Sequence, residues 1–289
     1  MMDNLYISTN NFKTKNLPEI LEVCLKYGLY NLELGSNIEY NEKNAEIALN
    51  YAGNPFKFII HHYFPKKPTS LVLNLASSNK DILKESIECC KTAIDLSAKI
   101  KAPLYSFHAG YAIDPKPQDL GKELSHLSRI TLNGAYEIFL DSAKQLLQYA
   151  GQKNMPIIVE NNVIAPFNLI DGKNETLLLC NADEIRRFIS DTDNKIGLLI
   201  DMGHLYVTSQ SLKIDREKMI SDLLQFAKAF HLSHNDGYSD QHLSFDENVW
   251  FAKFLRKNND KIFVVEAMGL DIDELIKCKN AIERIMLNG

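Results

Sequence analysis

Short runs of β-branched and other apolar residues alternate with longer amphipathic stretches along the whole chain. The short runs have the length and composition of buried strands, whereas the longer stretches repeat apolar residues every three or four positions, as one face of a helix does. The sequence predicts eight strands, at Leu5–Ser8, Tyr30–Leu34, Phe56–His61, Leu104–His108, Ile157–Glu160, Ile196–Asp201, Ala229–Ser233 and Ile262–Glu266. It predicts helices at Leu17–Tyr27, Asp81–Lys99, Tyr136–Lys153, Ala182–Ser190, Arg216–Phe226, Val249–Lys257 and Ile272–Leu287.

This alternation is typical of parallel strands joined by right-handed helical crossovers. Eight such units in 289 residues predict an α/β fold, a single (β/α)8 TIM barrel that forms one domain over residues 1–289. An open, doubly wound sheet is the alternative. The chain has no glycine-rich phosphate loop after its first strand, which disfavours that alternative.

Three predicted loops are longer than a plain barrel needs. They are Pro65–Leu71, Ala109–Thr131 and Asn161–Leu179, and each follows the C-terminal end of a predicted strand. Barrel enzymes build their active sites at that end, so we expect substrate recognition to be concentrated in these loops.

Composition narrows the class of protein. With 45% hydrophobic and 24% charged residues, the chain can build a large core. The net charge of −5 and the lack of a dense Lys/Arg cluster disfavour nucleic acid as a partner. No run approaches the roughly 20 apolar residues of a membrane span. Five cysteines without a CxxC motif fit a reducing compartment. We therefore expect a cytoplasmic protein with no membrane partner, and the sequence is compatible with a homo-oligomer.

Seven of the eight histidines lie within or just after the C-terminal end of a predicted strand: His61, His62, His108, His204, His231, His234 and His242. Glu160, Asp201 and Glu266 end the fifth, sixth and eighth predicted strands. A lone histidine at a strand end is more often a hydrogen-bonded structural residue. As a set, however, imidazoles and carboxylates at one end of a barrel predict a site for one or more divalent metal ions, with Mn, Zn or Co as candidates.

The order of these short motifs resembles that of the xylose isomerase-like TIM barrels over essentially the whole chain. This superfamily includes sugar isomerases, sugar phosphate isomerases/epimerases and the type-IV apurinic-site endonucleases. The segments that carry the resemblance are Ile60-His61-His62-Tyr63-Phe64, Leu73-Asn74-Leu75-Ala76, Phe107-His108-Ala109-Gly110, Val159-Glu160-Asn161, Asp201-Met202-Gly203-His204, Phe230-His231-Leu232-Ser233, Asp240-Gln241-His242 and Val265-Glu266.

The resemblance implies a core metal site formed by Glu160, Asp201, His231 and Glu266. In the endonuclease branch further residues hold up to three zinc ions, and the matching residues of this chain are His61, His108, His204, Asp240 and His242. In the epimerase branch one metal is usual, and the histidine that matches His204 contacts substrate. The seventh strand is ambiguous, because His234 stands where an aspartate is common and His231 and His234 are both candidate ligands.

The first functional hypothesis is a divalent-metal-dependent isomerase or epimerase of a sugar or sugar derivative, an enzyme of carbohydrate metabolism. Such an enzyme removes a proton next to a carbonyl, and the metal stabilises the resulting enediolate. The resemblance assigns the acid and base roles to Glu160 and Glu266, and His204 would orient a substrate oxygen. The alternative is that both glutamates act only as metal ligands.

The second hypothesis is a zinc-dependent phosphodiesterase similar to the apurinic-site endonucleases. All of that branch's ligand types have a match, but Asn161-Asn162-Val163 follows Glu160 where that branch has Thr-Ala-Gly, and no Gly-x-Gly follows His242. A third reading, a barrel that serves only as a scaffold, is disfavoured because the ligands are retained.

Four further side chains are predicted to contact substrate: Glu33, Tyr63, Asn161 and Trp250. A glutamate or an asparagine at a strand end can reach a sugar hydroxyl, and an aromatic ring can pack on the apolar face of a sugar. For each of them a structural role is the alternative.

Overall fold

The computed structural model describes residues 2–68 and 71–287, in which eight parallel strands close into a barrel in the order of the sequence. The strands are β1 (Leu5–Ser8), β2 (Asn31–Leu34), β3 (Lys57–His61), β4 (Tyr105–His108), β5 (Ile157–Glu160), β6 (Gly197–Asp201), β7 (Ala227–Leu232) and β8 (Ile262–Val265). The helices are α1 (Leu17–Tyr27), α2 (Asn44–Tyr51), α3 (Lys80–Lys99), α4 (Leu132–Gly151), α5 (Ala182–Asp191), α6 (Met202–Leu212), α7 (Arg216–Leu223), α8 (Ala252–Leu255) and α9 (Ile272–Leu287).

The closed barrel confirms the predicted fold and contradicts the open-sheet alternative. Every predicted strand is present, with its ends shifted by two residues at most. The helix predictions were less complete, because α2 and α6 were missed. The predicted helix Val249–Lys257 is also shorter than expected, since only α8 and a 3-10 turn at Arg256–Asn258 form within it. Of the three long loops, the one at 65–71 lies partly outside the described residues.

Asparagine side chains start several of the helices that follow a loop. Asn16, Asn79 and Asn181 each accept a hydrogen bond from a backbone N–H in the first turn of α1, α3 and α5. Such a cap satisfies a donor that the helix itself leaves free. At α5 the cap is reciprocal, because the Glu184 amide donates to Asn181 while the Glu184 carboxylate accepts from the Asn181 side chain.

Alternation along the strands sorts side chains between the inside of the barrel and the helices outside. Two apolar clusters fill the interior, one formed by Tyr6, Ile59 and Val264 and the other by Leu104, Ile158, Leu199 and Ala229. Two positions further along most of these strands, the inward side chain is polar: Ser8, His61, Ser106, Glu160, Asp201, His231 and Glu266. The period of two therefore places these groups together just above an apolar floor.

A second, larger core fills the space between the barrel and its helices. Phe139 of α4 is fully buried there and stacks on Phe188 of α5, with ring centroids 5.0 Å apart. Replacing Phe139 by alanine should lower the free energy of unfolding by about 3–5 kcal/mol, because it removes a large buried side chain and leaves a cavity. Chemical denaturation measures this loss. Leu25→Ala, at a residue of α1 that is 41% exposed, is the control and should change the free energy by only about 0.5 kcal/mol. Equal losses in both variants would contradict this description of the core.

Among residues 2–68 and 71–287, no helix combines the length and the apolar character that a membrane-spanning helix requires.

Candidate metal centre

Four side chains from consecutive strand ends converge at the C-terminal mouth of the barrel. Each of Glu160, Asp201, His231 and Glu266 offers a ligand atom, and these atoms all lie within 4.8 Å of one another. All four side chains are buried. The register of the sheet brings two of these residues side by side, because Asp201 of β6 is paired with His231 of β7. This central group contains the four residues that the family resemblance implied.

One further group consists of Glu33, His61 and His231, and two more flank the central one. His61 and His108 form a group with Glu160: their Nε2 atoms are 2.9 Å apart, and His61 Nε2 lies 3.1 Å from Glu160 Oε2. His204, Asp240 and His242 form the other group, in which Asp240 Oδ2 lies 3.2 Å from His204 Nε2 and 2.9 Å from His242 Nε2. The structure therefore brings together the four residues of the implied core site and the five that match further ligands of the endonuclease branch.

Several buried polar atoms of the central group lack a hydrogen-bond partner among the described residues. They are both carboxylate oxygens of Glu160, Oδ2 of Asp201 and Nδ1 of His231. His231 Nδ1 lies 2.7 Å from Glu266 Oε2, yet the two atoms are not in hydrogen-bond geometry. A buried, unpartnered carboxylate costs several kcal/mol unless a cation or a proton compensates it. The group therefore fits a divalent metal ion.

The second ring nitrogen of the histidines supports the same conclusion. In four of the imidazoles one nitrogen is held by the protein: Nδ1 of His61 by Ser106 Oγ at 2.9 Å, Nδ1 of His204 by the Asn161 carbonyl at 2.9 Å, Nε2 of His231 by Glu33 Oε2 at 2.9 Å, and Nδ1 of His242 by the Glu266 carbonyl at 3.1 Å. Such a contact fixes the ring orientation and the tautomer, so the other nitrogen is available as a candidate ligand. Ser106 was missed from the sequence, although strand alternation from His108 places it inward.

The surroundings of Glu160 and Glu266 shift the pKa values of these two carboxyl groups in opposite directions. Burial raises the pKa of Glu160 to about 7, against the opposing charge of His231. Burial acts in the same direction on Glu266, but the charge of His231, helped by the charge of His242 and the hydrogen bond from Asn10, outweighs it and lowers the pKa of Glu266 to about 2. Two carboxylates in one site thus differ in their affinity for a proton.

Glu33 orients a candidate metal ligand. It was predicted to contact substrate, but it is fully buried and its Oε2 contacts the His231 nitrogen on the far side of the ring from the site. Glu33→Ala should weaken metal affinity by about 10–100-fold, because His231 loses its orienting partner. Competition with a chromophoric chelator measures this affinity. Glu33→Gln should recover part of the loss, and Glu42→Ala, at an exposed residue of the following loop, should have no effect. Unchanged affinity in Glu33→Ala would refute the orienting role.

The other residues predicted to contact substrate also make contacts within the protein. Asn161 makes two hydrogen bonds to the end of β6: its side chain accepts from the Asp201 amide at 2.8 Å and donates to the Asp201 carbonyl at 3.3 Å. The hydroxyl of Tyr63 donates to the Leu71 carbonyl at 3.1 Å. Trp250 packs on Tyr206, and the guanidinium of Arg216 lies over the Trp250 ring at 4.0 Å from its centroid. Substrate contact by these residues stays a prediction.

The structure also separates the two candidate ligands of β7. His231 points into the central group, whereas His234 stacks on Tyr206 with ring centroids 6.0 Å apart. His62, the remaining strand-end histidine, has a positive φ of 61° and packs edge-on against His108. Neither His62 nor His234 belongs to a metal-ligand group among the described residues.

Comparison with known proteins agrees with this architecture. A model of the protein family described as "Xylose isomerase-like TIM barrel" matches residues 25–278. The chain therefore belongs to the xylose isomerase-like TIM-barrel family, as the sequence predicted.

Individual relatives are distant. The uncharacterized protein MJ1614 of Methanocaldococcus jannaschii is 25% identical over 291 residues, which cover 98% of this chain and 99% of that protein. The probable endonuclease 4 of Thermoplasma acidophilum is 25% identical over 169 residues, which cover 57% of this chain and 50% of that protein. Among solved structures, a D-tagatose 3-epimerase-like protein superimposes with a TM-score of 0.74 at 17% identity, over 99% of this chain and 97% of the other. At this identity the superposition shows the shared fold alone.

Proposed function

We propose that this protein is a divalent-metal-dependent isomerase or epimerase of a sugar or a sugar derivative. The observation that carries the proposal is that two glutamates, Glu160 and Glu266, each offer a carboxylate oxygen to the central group. Each has a carboxylate oxygen near His231 Nδ1, at 3.6 Å for Glu160 and 2.7 Å for Glu266. Two carboxylates that border one metal position are what a two-sided proton transfer requires. The similarity to the D-tagatose 3-epimerase-like protein supports the same class of reaction.

The roles of the side chains follow from their contacts. Glu160, whose oxygens lack hydrogen-bond partners among the described residues, would take the proton from the carbon next to the carbonyl and give an enediolate. Glu266, whose Oε1 accepts a hydrogen bond from Asn10 at 2.7 Å, would be the second carboxylate that exchanges a proton with the substrate. His204, fixed by the Asn161 carbonyl, would orient a substrate oxygen. A divalent ion in the central group, with Mn, Zn and Co as candidates, would stabilise the negative charge that develops on the substrate oxygens.

Deuterium incorporation tests this proposal. Protein loaded with Mn²⁺ or Zn²⁺ is incubated in D2O with a panel of ketoses, aldoses and their phosphates, and the sugars are analysed by NMR. We expect deuterium at the carbon next to the carbonyl of at least one sugar, because the base exchanges its proton with solvent. A panel without any incorporation above the metal-only control would contradict the proposal.

A second candidate is a zinc-dependent phosphodiesterase. The specific observation in its favour is that the His61–His108–Glu160 group and the His204–Asp240–His242 group flank the central group, so that the site could hold more than one ion. Two or three zinc ions about 3.5–4 Å apart can stabilise both the attacking and the leaving oxygen of a phosphodiester. Two or three zinc equivalents together with cleavage of a duplex that contains an abasic site would establish this candidate. Close to one equivalent together with deuterium incorporation into a sugar would favour the isomerase.

A further inference from the structure

A cavity of about 290 Å³ lies between the loops that follow β3 and β4. None of the nine side chains of the metal centre lines it. Its volume is close to the lower limit of small-ligand pockets, which is roughly 300 Å³. The cavity is therefore large enough for one small organic group in addition to whatever the metal centre binds.

The walls of the cavity are held in place by the buried side chain of Asn74. Its amide nitrogen donates to the carbonyls of Tyr111 at 3.1 Å and Ile113 at 2.9 Å, and its oxygen accepts from the Tyr111 amide at 2.9 Å. The two loops also touch at Gly110, where a Cβ would lie 2.8 Å from the Ala76 backbone nitrogen. These contacts tie the two loops together, so the cavity is formed before any ligand binds.

The polar groups that line the cavity are a guanidinium, a carboxylate and hydroxyls. Asp114 is fixed by Asn74 Nδ2 at 2.8 Å and Ser77 Oγ at 2.9 Å. Arg129 is exposed and makes no ion pair with any described residue. The lining thus carries one positive and one negative side chain, which are not paired with each other, and Ser78 and Ser128 add hydroxyls at the rim. The lining can donate and accept hydrogen bonds without a net charge.

The nearby start of helix α3 does not change this balance. Its capping residue Asn79 already accepts from the amides of Asp81 and Ile82, so these N–H groups are not free to bind a phosphate. A neutral polyhydroxyl group, which both donates and accepts hydrogen bonds, therefore matches the lining better than an anion does.

Tyr111 connects the cavity to the metal centre. It lines the cavity and follows the candidate ligand His108 by three residues. Burial and the charge of Glu160 together raise the pKa of Tyr111 to about 12, so its hydroxyl stays protonated at neutral pH. Aromatic rings can pack on the C–H face of a sugar, and Tyr111 is the aromatic residue among those that line the cavity.

We propose that this cavity binds a second, neutral glycosyl unit of the substrate. The substrate would then be a glycoside larger than a monosaccharide, with its reacting sugar at the metal centre. The identification of the ligand as part of a substrate rests on the proposed function.

Calorimetry with metal-loaded protein tests this proposal. The probes are maltose, cellobiose, lactose and sucrose, their component monosaccharides, and the 6-phosphates of glucose and fructose. At least one disaccharide should bind about tenfold more tightly than its component sugars. Ser78→Trp, which fills the rim from an exposed position, and Arg129→Ala should each remove most of this advantage. Lys122→Ala, at an exposed cation of the same loop that does not line the cavity, should preserve it.

Three results would overturn the proposal. They are a panel in which no disaccharide binds better than its component sugars, a sugar phosphate that binds more tightly than every disaccharide, and a disaccharide advantage that survives in Ser78→Trp. The melting temperature of each variant is measured to establish that it is folded. Deuterium incorporation is a separate measurement: if it is absent while disaccharide binding persists, the proposed function fails, and the cavity remains a glycosyl-binding site whose ligand is not a substrate of that reaction.

Discussion

Replacing Glu160 by glutamine should lower the rate of deuterium incorporation into a reactive sugar by about 10²–10⁴-fold, the usual contribution of a positioned general base. The substitution keeps the size of the side chain but removes its ability to accept a proton. Glu160 is fully buried at the centre of the site, where its two oxygens lie near His61, His204 and His231. Single-turnover exchange followed by NMR measures the rate.

The control for this prediction is Glu175→Gln, at a half-buried glutamate of the loop that follows the same strand. It should exchange deuterium at the wild-type rate. Because Glu160 is also a candidate ligand, the metal content of Glu160→Gln has to be measured together with its rate. A variant that retains metal and turns over normally would show that Glu160 is not the base.

Adding Zn²⁺ or Mn²⁺ to chelator-treated protein should raise the melting temperature by roughly 10 °C. An ion present at about 1,000 times its Kd stabilises the folded state by about 4 kcal/mol, and each kcal/mol is worth roughly 2–4 °C for a chain somewhat smaller than this one. The physical cause is the crowding of Glu160, Asp201 and Glu266 around one point, where a cation relieves their repulsion. Differential scanning calorimetry measures the shift.

Two controls make this prediction specific. Asp201→Asn should lose most of the shift, because it removes a charged ligand of the central group. Mg²⁺ should give a smaller shift than Zn²⁺, since a site that includes imidazole suits the softer transition metals. An equal shift in the wild type and in Asp201→Asn would place the stabilising ion outside the central group.

The strands and most of the site could be predicted because they depend on local patterns. Short apolar runs between amphipathic stretches identify the barrel strands, and the closure of the barrel brings strand ends together regardless of their separation in the sequence. Glu160, Asp201, His231 and Glu266 could therefore be grouped from the sequence and the family resemblance. Strand alternation also points Ser106 inward, but nothing in a lone serine indicates that it holds His61.

Helix α6 could not be predicted, because the residues at its start also belong to the candidate metal centre. Asp201 is a candidate metal ligand and also the N-cap of α6, since its Oδ1 accepts from the His204 amide at 2.7 Å. Most of α6 is buried, so its sequence lacks the one-sided pattern of a surface helix. Helix α2 was missed for a different reason, because only Asn44 and Ala48 of its eight residues are buried.

The contact between Glu33 and His231 could not be predicted from the sequence. Its position at a strand end is compatible with substrate contact and with orientation of a ligand. The 2.9 Å contact with His231, which is 198 residues away along the chain, favours the orienting role. Long-range pairs of this kind depend on the final geometry of the barrel.

The metal content of protein purified without chelators tests the central claim most directly. Mass spectrometry should find at least one equivalent of a divalent transition metal per chain in the wild type. The double variant Asp201→Asn/His231→Gln should lose at least one equivalent relative to the wild type, whereas His126→Gln, at the exposed histidine of the β4–α4 loop, should keep all of it. A wild-type protein that exchanges deuterium without bound metal, or a double variant with unchanged metal content, would contradict the claim.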